Sequence, residues 1–360
     1  MALITAADLT FNGEEIKSVS EAVFESGFAK PALEELHTVV TGIVAKKQIA
    51  ILGRMSGLIG KGTGACNPTA DANTFPMSEK FWNPAVSSGR LSECWTSLQE
   101  TFFIWGLKMG VQKADLTGTD FLNYISEMLV DAIYEAVLRI AWFNDIAAAN
   151  TNATPAGVIT AGIDLGYFNK IDGLWKQVFA VVSADASRKT AGLATKNAGA
   201  SYALQAFNDT DTTNRVVTKM LQNIRMNADT RLRAKTDSII VVTQSVADQY
   251  ERELTATQSV FSIEYLENGI QILKSGGVTI YAFEFWDRMI AAYFDNGTTT
   301  YLPHRALFYS KPNVQIGTED VATLSELDIF YDKKTKENII DFAFNVDAKL
   351  TEGYLVQAAY

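Results

Sequence analysis

Apolar residues recur most regularly between positions 117 and 143. Phe121, Ile125, Met128, Leu129, Ile133, Val137 and Ile140 fall three or four apart and share one face of a helix. Glu127, Asp131, Glu135 and Arg139 line the opposite row, with Glu135 and Arg139 in the favourable order for an i,i+4 pair. Thr119 is placed to cap this helix, and Asp120 sits where the positive end of the helix dipole favours a carboxylate. Such a helix would run roughly 35 Å. Its apolar face is too broad for a coiled-coil seam, which predicts packing on a sheet.

Either side of this helix the pattern changes. Residues 1–50 predict an arm with two short helices. Ile16, Val19, Val23 and Phe24 share a face in the first, and Pro31 opens the second, with Leu33, Leu36, Val39 and Val40 at helical spacing. So small a stripe cannot make its own core and must lie against the body or a neighbour. A strand is expected at 49–52. Then come Gly57, Gly60, Gly62 and Gly64, followed by Pro68, Pro76 and Pro84, with Phe75, Phe81, Trp82 and Trp95 among them. A long stretch of turn residues with large aromatics predicts an extended hairpin reaching away from the body.

The second half reads differently. Residues 150–215 are polar, rich in small residues and without a clear period; within them 184–215 predicts surface loops with one helical piece near 202–207. Residues 216–310 read as α/β. A helix is expected over 216–226 and a buried strand at 238–242, and Ser245 is placed to cap a helix over 246–254. Strands at 271–273 and 278–283 form a hairpin, and Asp295-Asn296-Gly297 is a turn expected to join two more strands. Residues 311–360 read mainly as β, with strands at 327–331, 338–346 and 354–357. Phe342, Phe344 and Val346 alternate with Ala343 and Asn345, as on a half-buried strand. There is no internal repeat.

Composition narrows the function classes. The 360 residues are 48% hydrophobic and 20% charged, enough for one large or two medium cores. The net charge of −10 does not attract phosphate backbones as a whole, so any nucleic acid would be enclosed with weak contacts. Solubility alone also accounts for that charge. Met1 to Thr5 lacks a basic lead, so Cys66 and Cys94 are expected as free thiols, and the sequons at Asn152 and Asn296 as chance matches. The longest uncharged stretch near the middle, Ile146 to Ile163, is rich in Ala, Thr, Asn and Gly and contains Pro155, a loop composition, so no membrane span is expected.

Each apparent reactive motif lacks a part that its chemistry needs. His37 and His304 are the two histidines of the chain; with Cys66 and Cys94 they lack the tight ligand pairs of a zinc site. Gly60-Lys61-Gly62-Thr63-Gly64 has Met55 where a phosphate loop needs glycine, and Gly62 where it needs Ser or Thr. Gly199-Ala200-Ser201-Tyr202-Ala203 approaches a nucleophile elbow with His304 downstream, but no buried strand leads into Ser201. Arg225, Arg231, Arg233 and Lys235 form the densest basic group without an aromatic platform, so a solvated face or an intersubunit salt bridge is expected. No catalytic, cofactor-binding or metal-binding residue is assigned, no cofactor is expected, and the chain is read as a non-enzyme.

The order of elements resembles the Hong Kong 97-like fold of tailed-bacteriophage major capsid proteins. Glu79-Lys80-Phe81-Trp82-Asn83-Pro84 is similar to the descending limb of that family's extended E-loop. Asp115-Leu116-Thr117-Gly118-Thr119-Asp120-Phe121 and Ala141-Trp142-Phe143-Asn144-Asp145 resemble the entry to and exit from its spine helix. Leu302-Pro303-His304-Arg305-Ala306 and Pro312-Asn313-Val314-Gln315-Ile316-Gly317-Thr318 resemble the return from its A-domain to its P-domain.

The resemblance implies an α+β chain in five parts: an N-terminal arm at 1–50, an extended E-loop with flanking strands at 51–110, a P-domain spine helix at 111–149, an α/β A-domain at 150–310, and P-domain return strands at 311–360. It implies self-assembly into hexamers and pentamers of an icosahedral head, inside the virion, after synthesis in the host bacterial cytoplasm. The expected partners are other copies, a portal, scaffolding or decoration proteins, and packaged double-stranded DNA in weak non-specific contact; no membrane is expected. The arm is short and lacks charged heptads, so scaffolding is expected to be separate or absent. Some relatives cross-link a loop lysine to a neighbour's asparagine; Lys61 and Lys80 against Asn313 and Asn345 are the pairs to weigh, with ordinary surface roles preferred. Three other readings stay open: an encapsulin-like cargo compartment, another virion structural protein such as a tail component, and a hydrolase using Ser201 and His304.

Overall fold

The computed structural model describes residues 33–52, 77–94, 120–149, 159–257, 264–265, 270–319, 328–335 and 337–360. The expected helix at 15–25, the glycine and proline run with Lys61 and Cys66, Trp95, the Thr119 cap and the sequon at Asn152 lie outside these residues.

Along the chain the strands are β1 (Thr38–Val40), β2 (Lys47–Leu52), β3 (Met77–Trp82), β4 (Ala85–Cys94), β5 (Ser238–Val242), β6 (Glu264–Tyr265), β7 (Gln271–Ser275), β8 (Val278–Ala282), β9 (Ala306–Ser310), β10 (Val314–Thr318), β11 (Asp328–Asp332), β12 (Glu337–Leu350) and β13 (Val356–Ala359). The helices longer than two turns are α1 (Asp120–Phe143), α2 (Leu174–Ala184), α3 (Val216–Asn227), α4 (Gln244–Ala256) and α5 (Glu284–Tyr293).

One sheet is built around β12, which is 14 residues long. Along one edge it pairs antiparallel with β11 and then β10; along the other it pairs with β4 from Glu337↔Cys94 to Val346↔Ala85. Phe344, Val346, Ala348 and Leu350 alternate onto one face, where they meet Ile133, Val137 and Ile140 of α1 and Leu174, Trp175 and Val178 of α2. α1 therefore lies on a sheet, as its broad apolar face requires, and α2 flanks it there.

The second sheet runs β13-β9-β5-β8-β7-β6. Its central strands are buried on both faces. Ile239, Val241, Leu307 and Tyr309 join the core that contains α1, α2 and α5. Ile240, Val242, Ala306 and Phe308 join a second core with Val217, Met220, Leu221 and Ile224 of α3 and Val246, Ala247 and Tyr250 of α4. The unbroken Ile-Ile-Val-Val run of β5 is the sequence of a strand covered on both sides.

Several expectations change. Val39 and Val40 are not on a helix: the helix after Pro31 is the single turn Leu33–Leu36, and 38–40 form a strand parallel to β10. Two adjacent β-branched residues beside an open sheet edge gain backbone partners that a short exposed helix would not supply. The turn at Asp295-Asn296-Gly297 follows α5 and closes an isolated bridge, Asp295↔Thr300, so it does not join two strands. The loops expected over 184–215 also carry the short helices Ala194–Asn197 and Asp209–Asn214 beside the expected piece at Tyr202–Gln205, and the unpatterned residues before them contain α2, whose Leu174, Trp175 and Val178 are buried. The last strand lies at Val356–Ala359, two residues later than expected, after a short turn at Gly353–Leu355. No helix among the described residues is long and apolar enough to cross a membrane.

Candidate functional site

Ser201 and His304 are not brought into a dyad. Ser201 precedes the one-turn helix Tyr202–Gln205, while both ring nitrogens of His304 have other partners. His304 Nε2 faces the Gln205 carbonyl at 2.8 Å, and a carbonyl only accepts, so Nε2 carries the proton. Nδ1 then accepts from the Ser245 hydroxyl at 2.8 Å. A serine–histidine contact exists, but with Ser245, a pairing 59 residues apart in sequence that no local pattern announces. Burial pulls the His304 imidazole below its ordinary value.

The amides that would hold an oxyanion beside Ser245 already face a carboxylate. Gln244 N and Ser245 N donate to Asp287 Oδ2 and Oδ1 at 2.6 and 3.4 Å. This is the cap of α4, supplied from α5; the expected Ser245 side-chain cap is not made. Burial pushes Asp287 up to about 6, against the hydrogen bonds that favour its charge. A negative group in the position of an oxyanion hole opposes acyl transfer. The same device recurs at α3, where the buried Glu253 accepts from Val217 N, Thr218 N and the Thr218 hydroxyl.

The other candidates are also tied into the fold. Trp142 Nε1 donates to His37 Nε2 at 2.8 Å, far from the His304 network in the chain and in a different set of contacts. Among the described residues no three potential ligands gather around a metal position. In the basic group, Arg231 forks onto Asp229 at 3.0 and 2.9 Å and lies 3.6 Å from the Tyr354 ring centre. The hydrogen bond from Arg231 is the main reason that Asp229 falls to about 2. Arg225 donates to the Gly276 carbonyl, while Arg233 and Lys235 stay exposed.

The remaining feature is a two-stranded ribbon. Among the described residues β2 and β3 pair only with each other, from Lys47↔Trp82 to Leu52↔Met77. The ribbon meets the body at its base. Trp82 is buried flat against Gly317 of β10, where a Cβ would stand 2.7 Å from the indole. Asp347, fully buried on β12, accepts from Asn83 N at 2.7 Å and Ala348 N at 2.8 Å, and pairs with Lys349 at 3.1 Å. Burial raises the Asp347 carboxyl. The Lys80 ammonium donates to the Leu350 carbonyl; burial and then the neighbouring Lys349 charge pull it down. Asn313 is buried with its amide bonded to Glu352 N, Glu352 O and Leu355 O. Neither Lys80 nor Asn313 is therefore presented as an open cross-linking group.

Around this base, apolar side chains face outward. Val86, 68% exposed, is the second residue of β4, Val44 precedes β2 and Phe81 lies on β3, with the Lys46 ammonium 4.8 Å from the Phe81 ring centre. At the far lobe Tyr202, Leu204 and Met226 are exposed as well.

No family model matches the sequence, and no curated protein matches it. Solved structures do match. A chain of Gordonia phage Cozz aligns with TM-score 0.54 at 10% identity, covering 95% of this chain and 90% of that one. A chain of Mycobacterium phage Ogopogo aligns with TM-score 0.52 at 8% identity, covering 98% and 99%. The capsid of Myoviridae phage XM1 gives 0.50 at 12% identity, covering 98% and 99%. The chain has a tailed-phage capsid-like fold, a mixed α+β architecture of several sheets.

Proposed function

We propose that this chain is a major capsid protein, a structural subunit that assembles with copies of itself into hexamers and pentamers of an icosahedral phage head around double-stranded DNA. The observation that carries this reading is end-to-end likeness of fold to phage chains, over 95% to 98% of the sequence. The ribbon supports it: an element held at its base, beside exposed Val44, Phe81 and Val86, is suited to burying its apolar groups on a neighbouring copy. In this reading residues 1–50 are the arm, 51–110 the E-loop region, 111–149 the spine, 150–310 the A-domain and 311–360 the return of the P-domain. Contact with DNA is weak because the chain carries ten net negative charges. A portal and scaffolding or decoration proteins complete the partners, and the virion is its destination.

Negative-stain imaging of the purified chain tests the assembly role. Closed shells or six- and five-membered rings are expected, and a monomer that persists at high concentration would overturn the reading. The contents of particles formed in cells separate a head from an encapsulin-like compartment: nuclease-protected DNA is expected, and a stoichiometric protein cargo would overturn the choice of a head.

A further inference from the structure

The turn after α5 is built from Asp295, Asn296, Gly297, Thr298 and Thr299. Its main chain closes with Asn296 N donating to Thr299 O at 3.1 Å, and Gly297 takes a φ of +85°. Three contacts within it have a chemical meaning beyond turn formation. Gly297 N donates to Asp295 Oδ1 at 2.7 Å. Asn296 Oδ1 accepts from two backbone amides, Thr298 N at 2.9 Å and Thr299 N at 2.7 Å. Asn296 Nδ2 donates to the Thr299 hydroxyl at 2.9 Å. Asn296, Gly297 and Thr298 are exposed to solvent.

We propose that this turn is a self-modifying site, in which Asn296 closes onto Gly297 N to form a succinimide that water opens to aspartate or isoaspartate. The parts match the demands of acyl transfer. Gly297 N is the nucleophile, and it lacks a neighbouring Cβ that would hinder approach. Asp295 takes its proton as the N–Cγ bond forms. The oxygen of Asn296 becomes an oxyanion between the two amides already pointing at it. Collapse of the tetrahedral carbon restores the carbonyl and breaks the Cγ–Nδ2 bond. The departing nitrogen recovers, through solvent, the proton given up by Gly297 and leaves as ammonia. One water then adds to either imide carbonyl. The net change is one amide and one water converted to one carboxylic acid and one ammonia, with no oxidant or cofactor.

Tyr202 tunes this arrangement. Its hydroxyl donates to the same Asp295 Oδ1 that receives Gly297 N–H, so the phenol competes with the nucleophile for the base. Conversion puts a second carboxylate next to Asp295 and removes the Nδ2 donor to Thr299. Each aged copy thus gains a negative charge beside exposed Tyr202 and Leu204. The proposal needs nothing from the shell reading.

Intact-mass and peptide-mapping spectrometry of the purified chain, incubated at neutral pH, is the test. The Asn296 peptide is expected to convert to Asp and isoAsp faster in the folded chain than in the same chain held in urea. Asp295→Asn is expected to slow conversion about tenfold or more. Tyr202→Phe is expected to speed it, and Gly297→Ala to slow it about tenfold or more. Conversion no faster folded than in urea would overturn the proposal, as would indifference to Asp295→Asn in a variant with native circular dichroism. Should Asp295→Asn not fold, the urea comparison and Tyr202→Phe still decide: a Tyr202→Phe rate equal to or below that of the unaltered chain rejects the base role.

Discussion

The lobe built on β5 and the ribbon of β2 and β3 are held by opposite means. In the lobe, one strand feeds alternate side chains into two cores, and helices cover both faces. Among the described residues the ribbon pairs only with itself and joins the body through an indole on a glycine, a carboxylate on a backbone amide and an ammonium on a carbonyl. Apolar burial is non-directional and collectively large, whereas a few hydrogen bonds are individually modest but fix an angle. One region is therefore specified by volume, and the other by position.

Four substitutions sharpen that contrast, in decreasing order of expected effect. Ile240→Ala empties part of the second core and should destabilise the lobe by about 2–5 kcal/mol in urea unfolding. A loss below about 1 kcal/mol would show that this core can collapse around the gap.

Asp287 should make lobe stability depend on pH. Its folded value of about 6 lies above the ordinary 3.8, so the folded state keeps the proton longer. Stability from this group is then greatest below pH 4 and falls as pH rises toward 6, by up to about 3 kcal/mol. Asp287→Asn should flatten that limb in unfolding curves taken across the range. Asp347, which burial also raises, slopes in the same direction, so the variant must be compared with the unaltered chain.

Gly317→Ala forces Trp82 off its seat, at about 1–3 kcal/mol. Hydrogen exchange should rise in β2 and β3 and stay unchanged in β5; equal changes in both would mean that the two regions unfold as one unit. Arg231→Ala should cost less than about 1 kcal/mol, since the Arg231 side chain is more than half exposed and solvent screens its charge. It should leave both regions intact by the same exchange measurement.

Legibility in the sequence follows the same division. α1, β5, the β7–β8 hairpin and β12 were readable because burial on one or both faces imposes a period, and their positions agree with it. α5 went unread, although Phe285, Trp286, Met289 and Ile290 have helical spacing, because it is only 10 residues long and follows a strand of equal hydrophobicity. Val39 and Val40 satisfied a helical spacing by coincidence, and only the neighbouring edge of β10 decides for a strand. The polar contacts could not be read at all: Asp287 reaches Gln244 across 43 residues and Ser245 reaches His304 across 59, and no period encodes either. The Asn296 turn is the exception, since all of its partners but Thr160 and Tyr202 lie within four residues.

The ladder between β4 and β12 has a mechanical consequence. Tension arriving through the ribbon enters β4 at Ala85, whose partner Val346 is the last pair of that ladder. A ladder pulled from its end opens like a zip, one pair at a time, instead of sharing the load across its length. Asp347 is the next residue of β12 beyond that pair, and it grips the backbone of Asn83, two residues ahead of Ala85. The carboxylate thus acts as the stop at the end of the zip, and a pull on the ribbon must dislodge it before the first strand pair can part.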